Sequence, residues 1–143
     1  RLEIARACGL NATSNARDES LASAVARVFG AEGFAVAFEC VGVEPTITAA
    51  VETIQKGGTI VVVGVFGDKP RVDLGLVQDR ELNLHGTSMY RRRDYEQAVE
   101  LIAARQIVTE PLVSKHFTLE EYAAAYAFIA NQRETSLKVF ITL

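Results

Sequence analysis

The sequence predicts an α/β fold built on a parallel sheet, on three observations. Two short apolar runs, Phe34 to Cys40 and Thr59 to Gly64, carry β-branched residues without polar alternation, the pattern of strands covered on both faces. Between them Ile47, Ala50, Val51 and Ile54 recur at i, i+3, i+4 and i+7, one stripe of a helix. Glycines at 33, 57, 58 and 64 bracket these pieces. The unit from Phe34 to Gly64 covers about 30 residues, the usual size of a right-handed strand–helix–strand crossover.

The elements follow in order. Arg1 to Gly9 reads as the back end of a helix, with helix formers throughout and Gly9 placed for a left-handed C-cap. A doubly wound strand order would place a short strand near Asn11 to Ser14. From Asp18 to Phe29, Leu21, Val25, Val28 and Phe29 form one amphipathic stripe, ended by Gly30 and Gly33. Pro45 lies near the first position of the next helix, which Gly57-Gly58 terminates. Phe66 to Glu81 is less regular. Leu82 to Thr87 is a strand with a half-polar pattern, suited to a sheet edge. Tyr95, Ala98, Val99 and Ile102 mark a helix, and Tyr122, Ala125, Tyr126 and Ile129 another, with Thr118 and Glu121 as its capping box. Ser136 to Leu143 closes as an alternating strand. No internal repeat is present.

Composition narrows the function. The chain has 143 residues, 49% apolar, with 15 Lys+Arg against 18 Asp+Glu and a net charge of −3. That size suits one domain, and the balance supplies no electrostatic footprint for nucleic acid or an anionic membrane. The longest apolar stretch, Ile60 to Phe66, is far short of the roughly 20 residues that span a bilayer. Only Cys8 and Cys40 are present, too few for a disulfide framework. The first residues lack the basic flank, apolar core and cleavage site of a secretory signal, so a cytoplasmic location with reduced thiols is expected.

Open α/β sheets bind ligands beyond the carboxyl ends of their strands, which directs attention to the segments after Cys40, Gly64 and Thr87. Small side chains there let a flat ligand use backbone N–H and C=O groups, although the same glycines serve equally to make tight turns. The phosphate-cradling G-x-G-x-x-G is absent, so spacing alone does not argue for a dinucleotide. His85 and His116 stand apart from any Cys, Asp or His at ligand spacing and read as structural. Arg91-Arg92-Arg93 opposes the dipole of the helix it begins, and reads either as a solvated helix start or as an anion-attracting cluster. Arg17 and Arg71 have no comparable context.

The order of segments carries a resemblance. Arg1-Leu2-Glu3-Ile4-Ala5, Phe38-Glu39-Cys40-Val41-Gly42 and Gly57-Gly58-Thr59-Ile60-Val61-Val62-Val63-Gly64-Val65 are followed by Leu84-His85-Gly86-Thr87-Ser88, Asp94-Tyr95-Glu96-Gln97-Ala98, Phe117-Thr118-Leu119-Glu120-Glu121 and Lys138-Val139. Together they resemble the cofactor domain of zinc-containing medium-chain alcohol dehydrogenases, nearest the polyol and threonine branch. The likeness covers nearly the whole chain.

This resemblance implies a Rossmann-type doubly wound parallel sheet, truncated at its N-terminus, with its first two strands and Gly-rich loop missing. It implies NAD or NADP as cofactor and a small-molecule alcohol as substrate, with zinc held by the parent enzyme and not by this chain. Arg1 would stand beside the adenosine ribose. Cys40, Val41 and Gly42 would border the adenosine side of the dinucleotide. Val63, Gly64 and Val65 would meet the nicotinamide, Thr87 and Met89 would help close that pocket, and Lys138 would lie near the pyrophosphate. No catalytic residue is expected in the chain. Homo-oligomerisation would use the edge strand 82–87. Two alternatives stay open: a zinc-independent quinone or enoyl reductase of the same superfamily, and a non-catalytic binding or assembly module.

Overall fold

The computed structural model describes residues 1–143, which form two compact units, Ser14–Met89 and a second made of Arg1–Thr13 with Tyr90–Leu143. In the first, Ser20 starts the helix α2 (Leu21–Phe29) because its hydroxyl accepts the Ser23 N–H at 3.1 Å. The helix therefore begins three residues after Asp18. The strand β1 (Val36–Glu39), the helix α3 (Glu44–Thr53) and the strand β2 (Thr59–Val62) form the expected crossover. A short helix α4 (Leu74–Asp79) and the strand β3 (Asn83–Gly86) complete the unit.

The sheet is parallel throughout, in the order β1-β2-β3, with Glu39 opposite Val62 and Val62 opposite Gly86. Its core is small: Ile47, Ala50, Val51 and Ile54 of α3 and its end close on Ile60 of β2. Ile54 and Ile60 are fully buried, each contributing about 1.5–3 kcal/mol of apolar burial. Ala37, Val62, Leu76 and Val77 pack around them.

Two expectations are corrected. Asn11 to Ser14 form no strand and pair with nothing, so β1 has a neighbour on one side only. Nor is β1 covered on both faces: Ala37 and Glu39 turn inward, while Val36 and Phe38 on the alternate face are exposed. An apolar cleft of about 590 Å³ runs beside that strand, lined by Leu21, Val25, Phe29, Val36, Phe38 and Ala49 among others.

In the second unit the helix α1 (Leu2–Ala7) ends as expected near Gly9, whose φ is +94°. It is joined by the helix α5 (Arg92–Ala103), the strand β4 (Val113–Thr118), the helix α6 (Tyr122–Asn131) and the strand β5 (Lys138–Thr142). β4 and β5 form their own parallel pair, separate from the three-stranded sheet. Phe117 and Ala125 are buried where α6 covers that pair. The Glu121 carboxylate accepts the Thr118 N–H at 2.9 Å, one half of the expected capping box. No helix is long and apolar enough to cross a membrane.

Candidate functional site

Because Glu39, Val62 and Gly86 lie in register, the residues after them leave the sheet from one common end. These are Cys40–Gly42, Val63–Val65 and Thr87–Met89. The Thr87 N–H still bonds the Val62 carbonyl at 3.0 Å, so its segment is held to the sheet for one further residue.

Glu39 organises the first two segments. Its carboxylate oxygen Oε1 accepts the N–H groups of Val41 and Gly42, each at 2.9 Å, and the Thr46 hydroxyl at 2.7 Å. Its backbone carbonyl accepts the N–H groups of Val63 and Gly64, each at 2.8 Å. The side chain is buried, and Oε2 has no hydrogen-bond partner. Burial pushes the Glu39 carboxyl up, but donation by Thr46, Gly42 and Val41 outweighs it and holds the group below its ordinary value. The residue is thus an anion inside the turn.

At the surface of this end the side chains are apolar and open to solvent. Val65 is 90% exposed, Met89 86% and Val41 64%, values that mark them as unpacked in the unit itself. Met89 also holds a left-handed backbone, φ +63°. Val63 and Thr87 are exposed beside them, Cys40 is an exposed free thiol, and Gly42 is buried with φ +80°. Eight of the ten residues expected at a site therefore lie in this unit, at the carboxyl ends of its strands. The arrangement presents exposed apolar side chains around backbone fixed by a buried anion.

Arg1 and Lys138 belong to the other unit, where with Arg133 and Ser136 they line a cavity of about 490 Å³. The Arg1 guanidinium donates to the carbonyls of Arg133 and Ser136, which fixes its place on the α6–β5 connection. Lys138 is exposed.

Elsewhere, Arg92 pairs with Glu96 one helical turn on, at 2.7 Å, and Asp94 accepts the Arg91 N–H at 2.8 Å, so the arginine cluster is answered by acids of its own helix. Arg71 donates to Glu44, holding that carboxyl below its ordinary value and tying the loop after β2 to the start of α3. His116 stacks on Phe140 with ring centroids 5.5 Å apart. No group of three His, Cys, Asp or Glu side chains converges, so the residues present do not fit a zinc ion. Glu39 was not singled out by motif reasoning as a site residue. The available signal was a lone carboxylate at the end of an apolar run, between Phe38 and Cys40.

A family model described as zinc-binding dehydrogenase matches residues 1–104. The chain belongs to the zinc-binding dehydrogenase family. Among relatives in this family, D-xylulose reductase of Saccharomyces cerevisiae is 27% identical over 145 residues, covering 99% of this chain and 41% of the relative. Sorbitol dehydrogenase of Ovis aries is 32% identical over 128 residues, covering 90% and 35%. The chain thus spans well under half the length of these dehydrogenases.

Solved structures agree on the fold. A zinc-binding dehydrogenase structure from Sinorhizobium meliloti 1021, bound to NADP, superposes with a TM-score of 0.84 at 25% identity, covering 99% of this chain and 42% of that one. A short chain alcohol dehydrogenase of E. coli CFT073 in complex with NADH gives a TM-score of 0.87 at 18% identity, covering 99% and 41%. Both structures therefore share this chain's fold over almost its whole length.

Proposed function

We propose that this chain is the cofactor-binding part of an NAD(P)-dependent alcohol or polyol dehydrogenase, and that a nicotinamide dinucleotide lies across the carboxyl ends of β1, β2 and β3. The observation that carries this reading is the exposed pair Val65 and Met89 beside backbone pinned by Glu39. When bound, the coenzyme supplies a nicotinamide ring that takes up hydride from an alcohol carbon. The chain's own part is positioning. Val63, Gly64 and Val65 offer main-chain groups to the ring's carboxamide, Thr87 and Met89 border the ring, and Cys40, Val41 and Gly42 flank the adenosine side. In the other unit, the cations Arg1 and Lys138 suit the ribose and phosphate groups of the same class of ligand. The family's polyol-acting relatives support a small alcohol as the substrate of the whole enzyme.

Two finer points belong to the same reading. The outer edge of β3 is free to pair with a second copy, which supports homo-oligomerisation through 82–87. Both cysteines are free thiols, which supports a cytoplasmic setting.

Titrating the chain with NADH while following nicotinamide fluorescence tests the proposal. A saturable change that Val65→Asp removes is the expected result. A signal that rises linearly with NADH, or that Val65→Asp leaves intact, contradicts it.

A further inference from the structure

We propose that Glu39 is a positioning residue for the coenzyme, clamping the turn after β1 to the segment after β2 so that both present their backbone in one fixed arrangement. The inference rests on the nicotinamide reading above and deepens it. Four amides from the two segments end on this one residue: Val41 and Gly42 on its carboxylate, Val63 and Gly64 on its carbonyl. The two ends act together, because the carboxylate also touches the second segment. A Cβ placed on Gly64 would lie 2.5 Å from Oε2, so that oxygen fills the space a side chain would take. Thr46, on the first turn of α3, donates to Oε1 at 2.7 Å and fixes the carboxylate's rotation.

The geometry separates the clamp from simple packing. Leucine at position 39 fills a comparable volume, but leaves the Val41 and Gly42 amides without an acceptor, while the Thr46 hydroxyl still has the Val43 carbonyl at 2.9 Å. Glutamine keeps the Oε1 acceptor and gives up the charge. The variants Glu39→Leu, Glu39→Gln and Thr46→Val therefore remove the donors' partner, its charge and its anchor in turn.

The experiment uses the full chain, with amide hydrogen exchange by NMR and NADH titration on each variant. Glu39→Leu is expected to speed exchange at Val41 and Gly42 by about tenfold, the cost of unpaired buried donors, and at Val63 and Gly64, whose carbonyl acceptor stays, by about threefold through the lost carboxylate contact, and to weaken NADH by about tenfold. Glu39→Gln is expected to restore both to within about threefold. Thr46→Val is expected to affect Val41 and Gly42 alone, by about threefold, and keeps the test decisive if Glu39→Leu does not fold. Equal loss in Glu39→Gln and Glu39→Leu overturns the clamp, and so does unchanged exchange in Thr46→Val. Wild type that binds NADH with an affinity Glu39→Leu shares overturns the positioning role alone. Wild type that shows the exchange pattern but no saturable NADH binding overturns the nicotinamide reading and Glu39's role toward the coenzyme with it.

Discussion

Gly42 and Gly64 meet backbone to backbone: a Cβ on Gly64 would lie 2.3 Å from the Gly42 nitrogen, and one on Gly42 would lie 2.4 Å from the Val65 carbonyl oxygen. Neither neighbour is the end of a flexible side chain, so neither can yield. The two glycines are therefore required by the contact between the loops themselves, before any ligand is considered.

Gly64→Ala should cost about 3 kcal/mol, the upper range for overpacking, because rigid backbone must move and the Glu39 carboxylate must leave its place. Thermal melting should fall by about 10–20 °C. Gly42→Ala should be worse, since φ +80° adds left-handed strain. Melting within about a degree of wild type for both would refute the contact.

Arg80 closes the C-terminal end of α3, donating to the carbonyls of Val51 at 3.1 Å, Glu52 at 2.7 Å and Ile54. A guanidinium there satisfies orphan carbonyls and opposes the negative end of the helix dipole. Arg80→Met keeps the aliphatic stem and should cost about 1–2 kcal/mol in a denaturant titration. An unchanged midpoint would show the bonds to be without net effect.

Acid should unfold the 14–89 unit through Glu39 and Glu44, both held below the ordinary carboxylate value of 4.5 in the folded state. A depressed folded pKa gives stability that is present above the unfolded value and lost as pH falls through the folded one. Melting temperature measured from about pH 7 to about pH 3 should therefore be flat and then drop. Glu39→Gln should melt lower on the plateau and fall less steeply in acid. A parallel acid limb in the variant would contradict the ionised state of Glu39.

The N–H groups of Asn83 and Thr87 bond carbonyls of Gly58 and Val62, so by the two-residue period of a strand the Leu84 N–H faces the free edge of β3. Leu84→Pro removes a donor only from that edge. Light scattering should report a smaller assembly with the sheet intact. An unaltered mass would place any self-association elsewhere.

Much of this fold was legible in the sequence because its strands and its central helix announce themselves by different periods. Ile60 to Val63 had no polar alternation, and Ile47, Ala50, Val51 and Ile54 kept helical spacing, so β2 and α3 were read within a few residues. Leu74–Asp79 escaped because six residues make too little periodicity, although Asp73 capping the Leu76 N–H was the local signal. A strand at Asn11–Ser14 was expected from the doubly wound order and from no pattern of its own, and the segment has no strand to pair with. Burial misled at β1, where Phe38 is apolar and exposed. The site was legible in position and not in cause. Gly42 and Gly64 were read as ligand bed or tight turn, whereas the mutual contact of two loops distant in sequence decides them. Glu39 was hidden for the same reason: its donors Val41, Gly42 and Thr46 are near in sequence, but its tie to Val63 and Gly64 exists only across the sheet.

The most direct test of the central claim is to follow every backbone amide by NMR while NADH is added to saturation. The account predicts that Val41, Gly42, Gly64, Val65, Thr87 and Met89 shift together with one dissociation constant. Shifts confined to other parts of the chain, or none at saturating NADH, would contradict it.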